Sequence, residues 1–350
     1  MTHIVFTGGG TAGHIVPNIA LIQKLKKRHP ETEILYIGSK HGPEAKMIPE
    51  IGVKFRGIMT GKLRRYFSWQ NFVDFFKIPI GVVQSYFTLR KFKPAALFSK
   101  GGYVGIPVIY AASWLKIPIV LHESDVLPGL ANRMAAKKAC VICMAFDECK
   151  VNFPKDVRKV LTGNPVREFI LKGDQDQGYK ITGFNGGKPV ILVMGGSQGA
   201  KHINEAIVEA LPHLDAQVVH ITGKGKKVHD DTDKYKSYEY LNEELPDIYA
   251  ISRVVVTRAG ANSLAEIEAL GIPAILIPLA KAQSRGEQSL NAISYQKMHP
   301  QTIIIKDEEL TSDKLLQSLS QTLNTEPKKH TPNNAAERII EVLEKYVDRN

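Results

Sequence analysis

The stretch from Val254 to Pro278 constrains the fold most, because it predicts a complete strand–turn–helix–strand unit. Val254 to Val256 are three consecutive β-branched residues, which is typical of a short buried strand. A helical segment follows, and Gly271 and Pro273 end it, because glycine favours the left-handed conformation after a helix and proline cannot continue one. Ala274 to Ile277 form the next predicted strand.

The start of that helix is suited to an anion. Asn262 or Ser263 can cap it after the turn at Gly260, so that backbone N–H groups and the positive end of the helix dipole point the same way. Glu266 is expected in the first turn. It either reaches past a phosphate to hydroxyls such as a ribose diol or only complements the dipole, and this stretch favours neither.

The rest of the chain alternates strand and helix in two series, which predicts α/β domains with parallel sheets. The predicted strands are Ile4–Thr7, Ile34–Ile37, Ala95–Ser99, Ile117–Leu121, Cys140–Met144, Val190–Met194, Val218–Ile221, the two of the opening unit, and Thr302–Ile305. We expect helices at Pro17–Arg28 and Asn334–Val347, and a polar surface segment at residues 173–188.

The length of 350 residues and a hinge-like Gly163-Asn164-Pro165 predict two domains. The first comprises residues 1–163, joined by the C-terminal helix within 334–350, and the second comprises residues 164–333.

The formal net charge of +11 favours an anionic partner, which is nucleic acid, an anionic membrane surface or a phosphorylated substrate. We expect no signal peptide, because the N-terminus passes directly into a strand and a glycine turn. The sequence contains no apolar run long enough to span a bilayer.

The turn from Gly8 to Gly13 formally matches the G-x-G-x-x-G pattern of dinucleotide sites. The end of the second strand, Ile37 to Lys40, lacks the acid that would hold a ribose, so a nicotinamide oxidoreductase is disfavoured. The turn can equally bind a diphosphate through backbone N–H groups. His14 follows at a helix start, where the dipole favours a neutral imidazole able to act as a general base, although packing is the commoner role of a single histidine.

A second turn of this kind spans Gly195 to Gly199, where Ser197 either donates to a phosphate or caps a helix. With the turns at Gly8–Gly13 and Gly260, three anion-ready helix starts are distributed over two domains. This distribution predicts a binding cleft between the domains.

We predict no metal and no cofactor. Cys140 and Cys143 form a C-x-x-C pattern, but the sequence has no second pair that would complete a zinc site, so buried thiols are expected. The D-x-D pairs Asp174–Asp176 and Asp231–Asp233 lie in polar stretches and are interpreted as solvated surface.

Residues 53–93 combine nine basic residues with a single acid and ten aromatic residues. A basic, aromatic-rich helix suits a membrane interface or single-stranded nucleic acid. The alternative is an amphipathic helix that buries about half of these aromatic rings in the core.

Seven motifs then occur in order: TGGGTAGH, SKGGYVG, LHESD…PGLANR, GNPVR, GGSQGA, TRAGANSLAEI and QSRGEQSLNA. From the first strand to about Ala292 they resemble the peptidoglycan lipid-intermediate N-acetylglucosaminyltransferases, the MurG family. The resemblance implies two facing Rossmann-like domains of the GT-B type, an interdomain cleft and no metal requirement. It also implies inverting transfer of N-acetylglucosamine from UDP-N-acetylglucosamine to the C4 hydroxyl of the muramoyl sugar in an undecaprenyl-diphosphate-linked precursor.

The resemblance further implies the roles of individual residues. Arg167 is expected beside the uracil, the backbone near Leu241 at the edge of the uracil, and Glu266 at the ribose hydroxyls. The loop that ends at His14 is expected to face the acceptor diphosphate. The full set of predicted contacts with UDP-N-acetylglucosamine is Thr11, Ala12, Gly13, Asp125, Arg167, Ser197, Leu241, Ala261, Asn262, Ser263, Glu266, Glu287 and Gln288.

Within this set, Ser197 and the Ala261–Ser263 turn are expected at the diphosphate, and Gln288 at the sugar with Glu287 nearby. One position departs from the family. Many members have HEQN where this chain has HESD, and Asp125 can accept from a sugar hydroxyl but cannot donate as an asparagine amide does.

Because the implied acceptor carries a long lipid, we expect peripheral attachment to the cytoplasmic face of the cell membrane. The predicted patch is Lys62, Arg64, Arg65, Trp69 and Phe72, with Trp114, Lys137 and Lys138 as neighbours. The expected partners are UDP-N-acetylglucosamine, the lipid-linked muramoyl-peptide diphosphate, an anionic membrane surface and complexes of cell-wall synthesis proteins, with no nucleic acid.

Two alternatives remain open. A UDP-sugar epimerase on the same fold would not need the basic, aromatic segment 53–93. A non-catalytic nucleic-acid-binding protein would explain the net charge but not the three phosphate-ready turns or Glu266.

Overall fold

The computed structural model describes residues 2–61, 69–196, 200–280, 285–326 and 332–347, and within residues 69–75 it describes the side chain of Asp74 alone. The chain divides into two compact units. Unit 1 is Met1–Arg167 with Asn333–Asn350, and unit 2 is Glu168–Pro332. The division therefore follows Arg167, whereas the sequence placed it after Gly163.

Unit 1 is built on a seven-stranded parallel sheet in the order β3-β2-β1-β4-β5-β6-β7. Its elements are β1 (His3–Thr7), α1 (Ala12–Arg28), β2 (Glu33–Ser39), α2 (Glu44–Glu50), β3 (Lys54–Ile58), α3 (Trp69–Phe92), β4 (Ala96–Ser99), α4 (Gly105–Trp114), β5 (Ile119–Glu123), α5 (Leu130–Ala135), β6 (Val141–Met144) and β7 (Arg158–Leu161).

Unit 2 is built on a six-stranded parallel sheet in the order β10-β9-β8-β11-β12-β13. Its elements are α6 (Gln175–Thr182), β8 (Val190–Met194), α7 (Lys201–Ala210), β9 (Gln217–Ile221), β10 (Tyr235–Tyr238), α8 (Leu245–Ile251), β11 (Ser252–Thr257), α9 (Ala261–Leu270), β12 (Ala274–Leu276), α10 (Glu287–Met298), β13 (Ile303–Ile304) and α11 (Ser312–Leu323). The last helix, α12 (Ala335–Val347), returns to unit 1. The predicted α/β class with two parallel-sheet domains is confirmed.

Both faces of the unit 1 sheet are covered, which is why its strands are apolar at successive positions. Ile4 and Phe6 face one core, which α1 and α12 cover, whereas Val5 and Leu97 face a second core beneath α3 and α4. The predicted apolar side of the final helix, including Ile339, is buried in the first of these cores.

Several elements differ from the sequence prediction. Helix α1 begins at Ala12, so Pro17 lies inside it and does not start it. The segment predicted as a polar excursion contains helix α6, whose N-cap is Asp174. Strands β3, β7 and β10 were not predicted, and Cys140 is exposed, contrary to the prediction of buried thiols. No helix in the described part of the chain is long and apolar enough to cross a membrane.

A buried polar network joins three elements of unit 2. His220 on β9 is fully buried, with Nδ1 2.8 Å from the Tyr235 hydroxyl and Nε2 3.0 Å from Oδ1 of Asn204. Asn204 donates its amide N–H to the Thr222 carbonyl, which directs its Oδ1 to accept from Nε2 of His220. Burial lowers the pKa of His220 to about 4.

This network predicts a loss of stability in acid. Between pH 6.5 and about pH 4 the unfolded chain protonates His220 and the folded chain does not, so the free energy of unfolding falls as the pH drops through this window. The maximal loss is about 3 kcal/mol. Urea unfolding from pH 7 to pH 4.5 measures it. The wild type should unfold at a higher urea concentration than His220→Gln at pH 7, and this difference in urea midpoint should shrink towards pH 4.5. A difference that stays constant would contradict the prediction.

Candidate active site

The predicted substrate contacts in unit 1, apart from Arg167, follow strands at the carboxyl edge of its sheet. Thr11 to His14 follow β1, the Lys100–Tyr103 loop follows β4, and Asp125 follows β5. These three strands are neighbours in the order β1-β4-β5. The strand order reverses direction between β1 and β4, and ligands of open α/β sheets bind at such a switch point.

The start of α1 is open to solvent. Thr11, Ala12 and Gly13 are exposed, and His14 in the first turn is half-buried. Thr11 is the N-cap residue, and its side chain makes no capping hydrogen bond. The exposed backbone at the positive end of the helix dipole suits an anion.

A buried acid that sequence reasoning missed closes the glycine turn. Glu44 accepts hydrogen bonds from the backbone N–H of Gly10 at 3.1 Å and of Ser39 at 2.9 Å. The sequence search looked for an acid at the end of β2, whereas Glu44 comes from α2. Because this carboxylate is fully buried, it organises the turn and does not act as the ribose ligand of a dinucleotide site.

The loops after β1 and β4 pack directly on each other. Gly10 has φ of 84°, and a Cβ there would lie 2.4 Å from Cε1 of Tyr103. A Cβ at Gly102 would lie 3.1 Å from Cδ2 of His14. The close approach explains why glycines occupy these positions and fixes His14 against the second loop.

A buried carboxylate also organises the loop after β5. Glu123 accepts from the backbone N–H groups of Ser124 (2.8 Å), Asp125 (3.0 Å) and Gly129 (3.1 Å), and from the side-chain amide of Asn132 (2.9 Å). All four partners are donors, so the geometry fits an ionised carboxylate. Glu123 therefore fixes the backbone that carries Asp125.

Lys100 and His122, both buried, form a pair beside that carboxylate. Nζ of Lys100 lies 2.9 Å from Nδ1 of His122, and Nε2 of His122 lies 2.9 Å from the Gly163 carbonyl. Burial lowers the pKa of His122 well below its usual value, and the charge of Lys100 lowers it further, so the imidazole is neutral. It accepts at Nδ1 and donates at Nε2. Burial lowers the pKa of Lys100 to about 8, which leaves it charged at neutral pH.

The site residues predicted in unit 2 lie at the carboxyl edge of the second sheet. Leu241 follows β10, the Ala261–Ser263 turn follows β11, and Glu287 and Gln288 follow β12. Ser197, which follows β8, lies outside the described residues. Arg167 is the last residue of unit 1.

The start of α9 differs in detail from the prediction. Its N-cap is Gly260, so Asn262 and Ser263 lie inside the first turn and do not cap the helix. Glu266 falls in the second turn, not the first. The distance from the helix start weakens the interpretation of Glu266 as a mere complement to the dipole, which acts mainly over the first turn. Glu266 is 9% exposed, and its Oε2 accepts from the Tyr249 hydroxyl at 3.2 Å.

A buried arginine that the sequence did not reveal holds the turn before α9. Arg258 donates through Nη1 to the carbonyl of Ile277 at 3.1 Å and pairs with the carboxylate of Asp307. The second oxygen of Asp307 lies 3.0 Å from Nδ1 of His202 on α7. Arg258 thus joins the ends of β11 and β12 to the start of α7.

The start of α10 is connected to the loop that precedes it. Oε1 of Gln288 accepts from the backbone N–H of Leu279 at 3.0 Å, and Oε2 of Glu287 accepts from that of Arg285 at 2.8 Å. Gln288 and Glu287 therefore hold the backbone at Leu279 and Arg285, and their predicted contacts with a sugar stay predictions.

The predicted membrane patch is only partly described. Lys62, Arg64 and Arg65 lie outside the described residues, and Trp69 and Phe72 belong to α3 without described side chains. Lys137 and Lys138 are exposed, and Trp114 is 63% exposed. An apolar groove of about 520 Å³ lies between α3, α4 and α5, with Val83, Trp114, Leu130 and Met134 in its lining.

The acidic pairs have roles that need no metal. Asp174 accepts from the backbone N–H of Gln177 as an N-cap, and Asp231 accepts from the backbone and hydroxyl of Ser237. Among the described residues, no group of three or more His, Cys, Asp or Glu side chains is arranged to hold a metal ion.

Comparison with known proteins identifies related sequences along nearly the whole chain. Residues 4–144 match the glycosyltransferase family 28 N-terminal domain, and residues 190–346 match the glycosyltransferase family 28 C-terminal domain. A relative in Legionella pneumophila (strain Lens) is 47% identical over 324 residues, which cover 91% of this chain and 88% of the relative. It is called UDP-N-acetylglucosamine--N-acetylmuramyl-(pentapeptide) pyrophosphoryl-undecaprenol N-acetylglucosamine transferase.

A relative of the same name in Clostridium tetani (strain Massachusetts / E88) is 41% identical over 353 residues and covers 98% of each chain. Among solved structures, the fold is similar to that of Acinetobacter baumannii MurG, with a TM-score of 0.74 and 22% sequence identity. That similarity covers 99% of this chain and 100% of the other.

Proposed function

The chain belongs to the MurG family of glycosyltransferase family 28, and from this membership we propose that it transfers N-acetylglucosamine to an undecaprenyl-diphosphate-linked muramoyl peptide. The donor is UDP-N-acetylglucosamine, and the acceptor atom is the C4 hydroxyl oxygen of the muramoyl sugar. The observation that carries the proposal is the identity of 41–47% with relatives of that name over most of the chain.

Unit 2 binds the nucleotide sugar in this proposal. The first turn of α9, with Ala261, Asn262 and Ser263, supplies backbone N–H groups to the diphosphate, together with Ser197. Glu266, one turn further along, accepts from the ribose hydroxyls. Arg167 and the backbone near Leu241 contact the uracil, and Gln288 contacts the sugar with Glu287 beside it.

Unit 1 binds the acceptor. Its diphosphate faces the exposed start of α1, where the helix dipole and backbone N–H groups favour negative charge. Thr11, Ala12 and Gly13 at this helix start also contact UDP-N-acetylglucosamine in the proposal. Asp125 accepts from a hydroxyl of the transferred sugar. His14, in the first turn of α1, is our candidate for the base that removes the proton from the acceptor hydroxyl.

The reaction is a single displacement that inverts the anomeric carbon. The C4 oxygen forms a bond to C1 of N-acetylglucosamine while the bond from C1 to the diphosphate oxygen breaks, and the hydroxyl proton passes to the base. The leaving UDP carries the developing negative charge. Helix starts and backbone donors stabilise this charge without a cation.

The test of this function is transfer of labelled N-acetylglucosamine to a lipid-linked muramoyl diphosphate, with and without EDTA. We expect a labelled disaccharide-lipid at equal rates in both arms. Loss of transfer in EDTA with recovery in magnesium would contradict metal independence. An epimerised nucleotide sugar formed without acceptor, or salt-sensitive RNA binding without transfer, would instead support one of the two alternative functions.

Replacement of Glu266 by alanine tests the ribose contact. A lost hydrogen bond to a charged group costs about 1.5–3 kcal/mol, so we expect KM for UDP-N-acetylglucosamine to rise about 10- to 100-fold. Glu268→Ala on the same helix is the matched control, because the Glu268 carboxylate faces His299 instead, at 3.5 Å. Steady-state kinetics with both variants measure the effect, and equal KM values in the two would rule out the contact.

The acceptor's lipid requires the enzyme to work at the bilayer surface, and we propose peripheral attachment to the cytoplasmic face of the cell membrane. The exposed apolar side chains Phe76, Phe87, Trp114 and Met134 on α3, α4 and α5 support shallow insertion. Basic residues near an anionic surface contribute about 1 kcal/mol each.

Charge reversal of Lys62, Arg64 and Arg65 tests this attachment. We expect weaker binding to anionic liposomes and slower transfer to a long-chain acceptor, with near-normal transfer to a short-chain soluble acceptor. Reversal of three exposed lysines elsewhere in unit 1, Lys27, Lys46 and Lys155, is the matched control. Unchanged liposome binding, or equal loss with both acceptors, would place the membrane surface elsewhere.

A further inference from the structure

A buried cluster at the end of β5 connects Lys100 to the loop that carries Asp125. Lys100 bonds to His122 at 2.9 Å, and the next residue along the strand, Glu123, holds the loop through three backbone N–H groups. Asn132 spans both strand residues, since its Nδ2 donates to the His122 carbonyl at 3.1 Å and to Oε2 of Glu123 at 2.9 Å.

The backbone beside Lys100 belongs to the same cluster. Gly101 has φ of 89°, and a Cβ there would lie 2.5 Å from Oδ1 of Asn132. The β4 loop is therefore in direct contact with the amide that bonds to Glu123. Lys100, His122, Glu123 and Asn132 are all at most 4% exposed.

We propose that Lys100 is a positioning residue for glycosyl transfer: its buried ammonium, bonded to His122, keeps Glu123 a carboxylate and so preserves the loop that carries Asp125. The effect on the rate of transfer rests on the proposed function, whereas the effect of Lys100 on Glu123 and its loop does not.

The charges in the cluster explain why a cation is needed. Burial and the nearby charge of Asp125 raise the pKa of Glu123, whereas hydrogen bonds from Asp125 and Asn132 and the charge of Lys100 lower it. Without Lys100, the buried carboxylate of Glu123 lies near the half-buried carboxylate of Asp125, with no opposing charge among the described groups that act on Glu123.

Protonation of Glu123 would break the loop. A protonated carboxyl turns an acceptor site into an O–H donor, and all four described partners of Glu123 are themselves donors. A buried donor without an acceptor is costly, so the loop would rearrange and move Asp125. Lys100 contacts neither sugar nor diphosphate in this account and acts through Glu123.

The first test uses hydrogen exchange, which does not depend on activity. In K100M the amides of Ser124, Asp125 and Gly129 should exchange about 10-fold faster or more, while amides of the β1–β2 ladder remain unchanged. The matched control is K155M, an exposed lysine of unit 1, which should alter neither. Uniformly faster exchange across unit 1, or unchanged exchange in the loop, would overturn the proposal.

The second test is a double-mutant cycle. K100M should lower kcat/KM for UDP-N-acetylglucosamine about 10- to 100-fold in the wild-type background and less than about 3-fold in the D125N background, where one of the two negative charges is gone. Equal losses in both backgrounds would overturn the inference. If the wild-type chain transfers no sugar, the proposed function fails, whereas the exchange experiment still tests whether Lys100 preserves the loop that carries Asp125.

If K100M does not fold, the double variant K100M/D125N tests Lys100, because loss of the Asp125 charge should restore folding, and a double variant that stays unfolded would overturn the proposal. The comparison of wild type with D125N tests the electrostatic argument at Glu123. The described groups that face Glu123 are Lys100, His122, Asp125, Asn132 and the buried thiol of Cys149. Removal of the Asp125 charge should extend exchange protection of the Ser124 and Gly129 amides to lower pH. Identical pH dependence in the two chains would contradict the electrostatic argument.

Discussion

Buried charged side chains that bond to backbone atoms determine the shape of the loops at the carboxyl edges of both sheets. Glu44 and Glu123 accept from backbone N–H groups in unit 1, and Arg258 donates to backbone carbonyls in unit 2. Removing an ion from water costs several kcal/mol, and only a full set of hydrogen bonds offsets this cost. A loop that supplies those bonds is therefore held in one conformation.

The sequence was informative about the central strands, because residues covered on both faces must be apolar, and about the final helix, because its apolar residues recur along one side. It was uninformative about the edges. Strand β3 reads Lys-Phe-Arg-Gly-Ile and β10 reads Tyr-Lys-Ser-Tyr, and both are only partly buried, so neither presents the apolar run by which a central strand is recognised. The first helix was predicted to begin at Pro17, whereas α1 starts at Ala12 and contains the proline in its interior.

The backbone of the candidate site was predictable where local sequence determines local structure. A glycine turn followed by a helix is visible in a short window, and it located Thr11–His14 and Ala261–Ser263. The residues that hold these turns were not predictable, because their partners are distant in sequence. Glu44 bonds to Gly10, Lys100 to His122, and Arg258 to Asp307, and no pattern within a short window reports such pairings.

Each unit has an acid near its glycine turn, but Glu44 in unit 1 bonds to the turn itself, whereas Glu266 in unit 2, further along the helix, bonds to a side chain. Glu44 lies beneath the turn of unit 1, fully buried, with its charge directed at the N–H of Gly10. That donor is occupied, so in the proposed function an anion at this edge contacts the exposed first turn of α1 and not the N–H of Gly10. In unit 2, Glu266 lies one turn along α9 and bonds to a tyrosine hydroxyl through one oxygen. An acid placed there leaves the helix start to a phosphate and offers its charge to a neutral hydroxyl beyond it. In the proposed function, the start of α1 therefore faces an anion alone, whereas the start of α9 faces the diphosphate and Glu266 accepts from the ribose hydroxyls one helical turn further along.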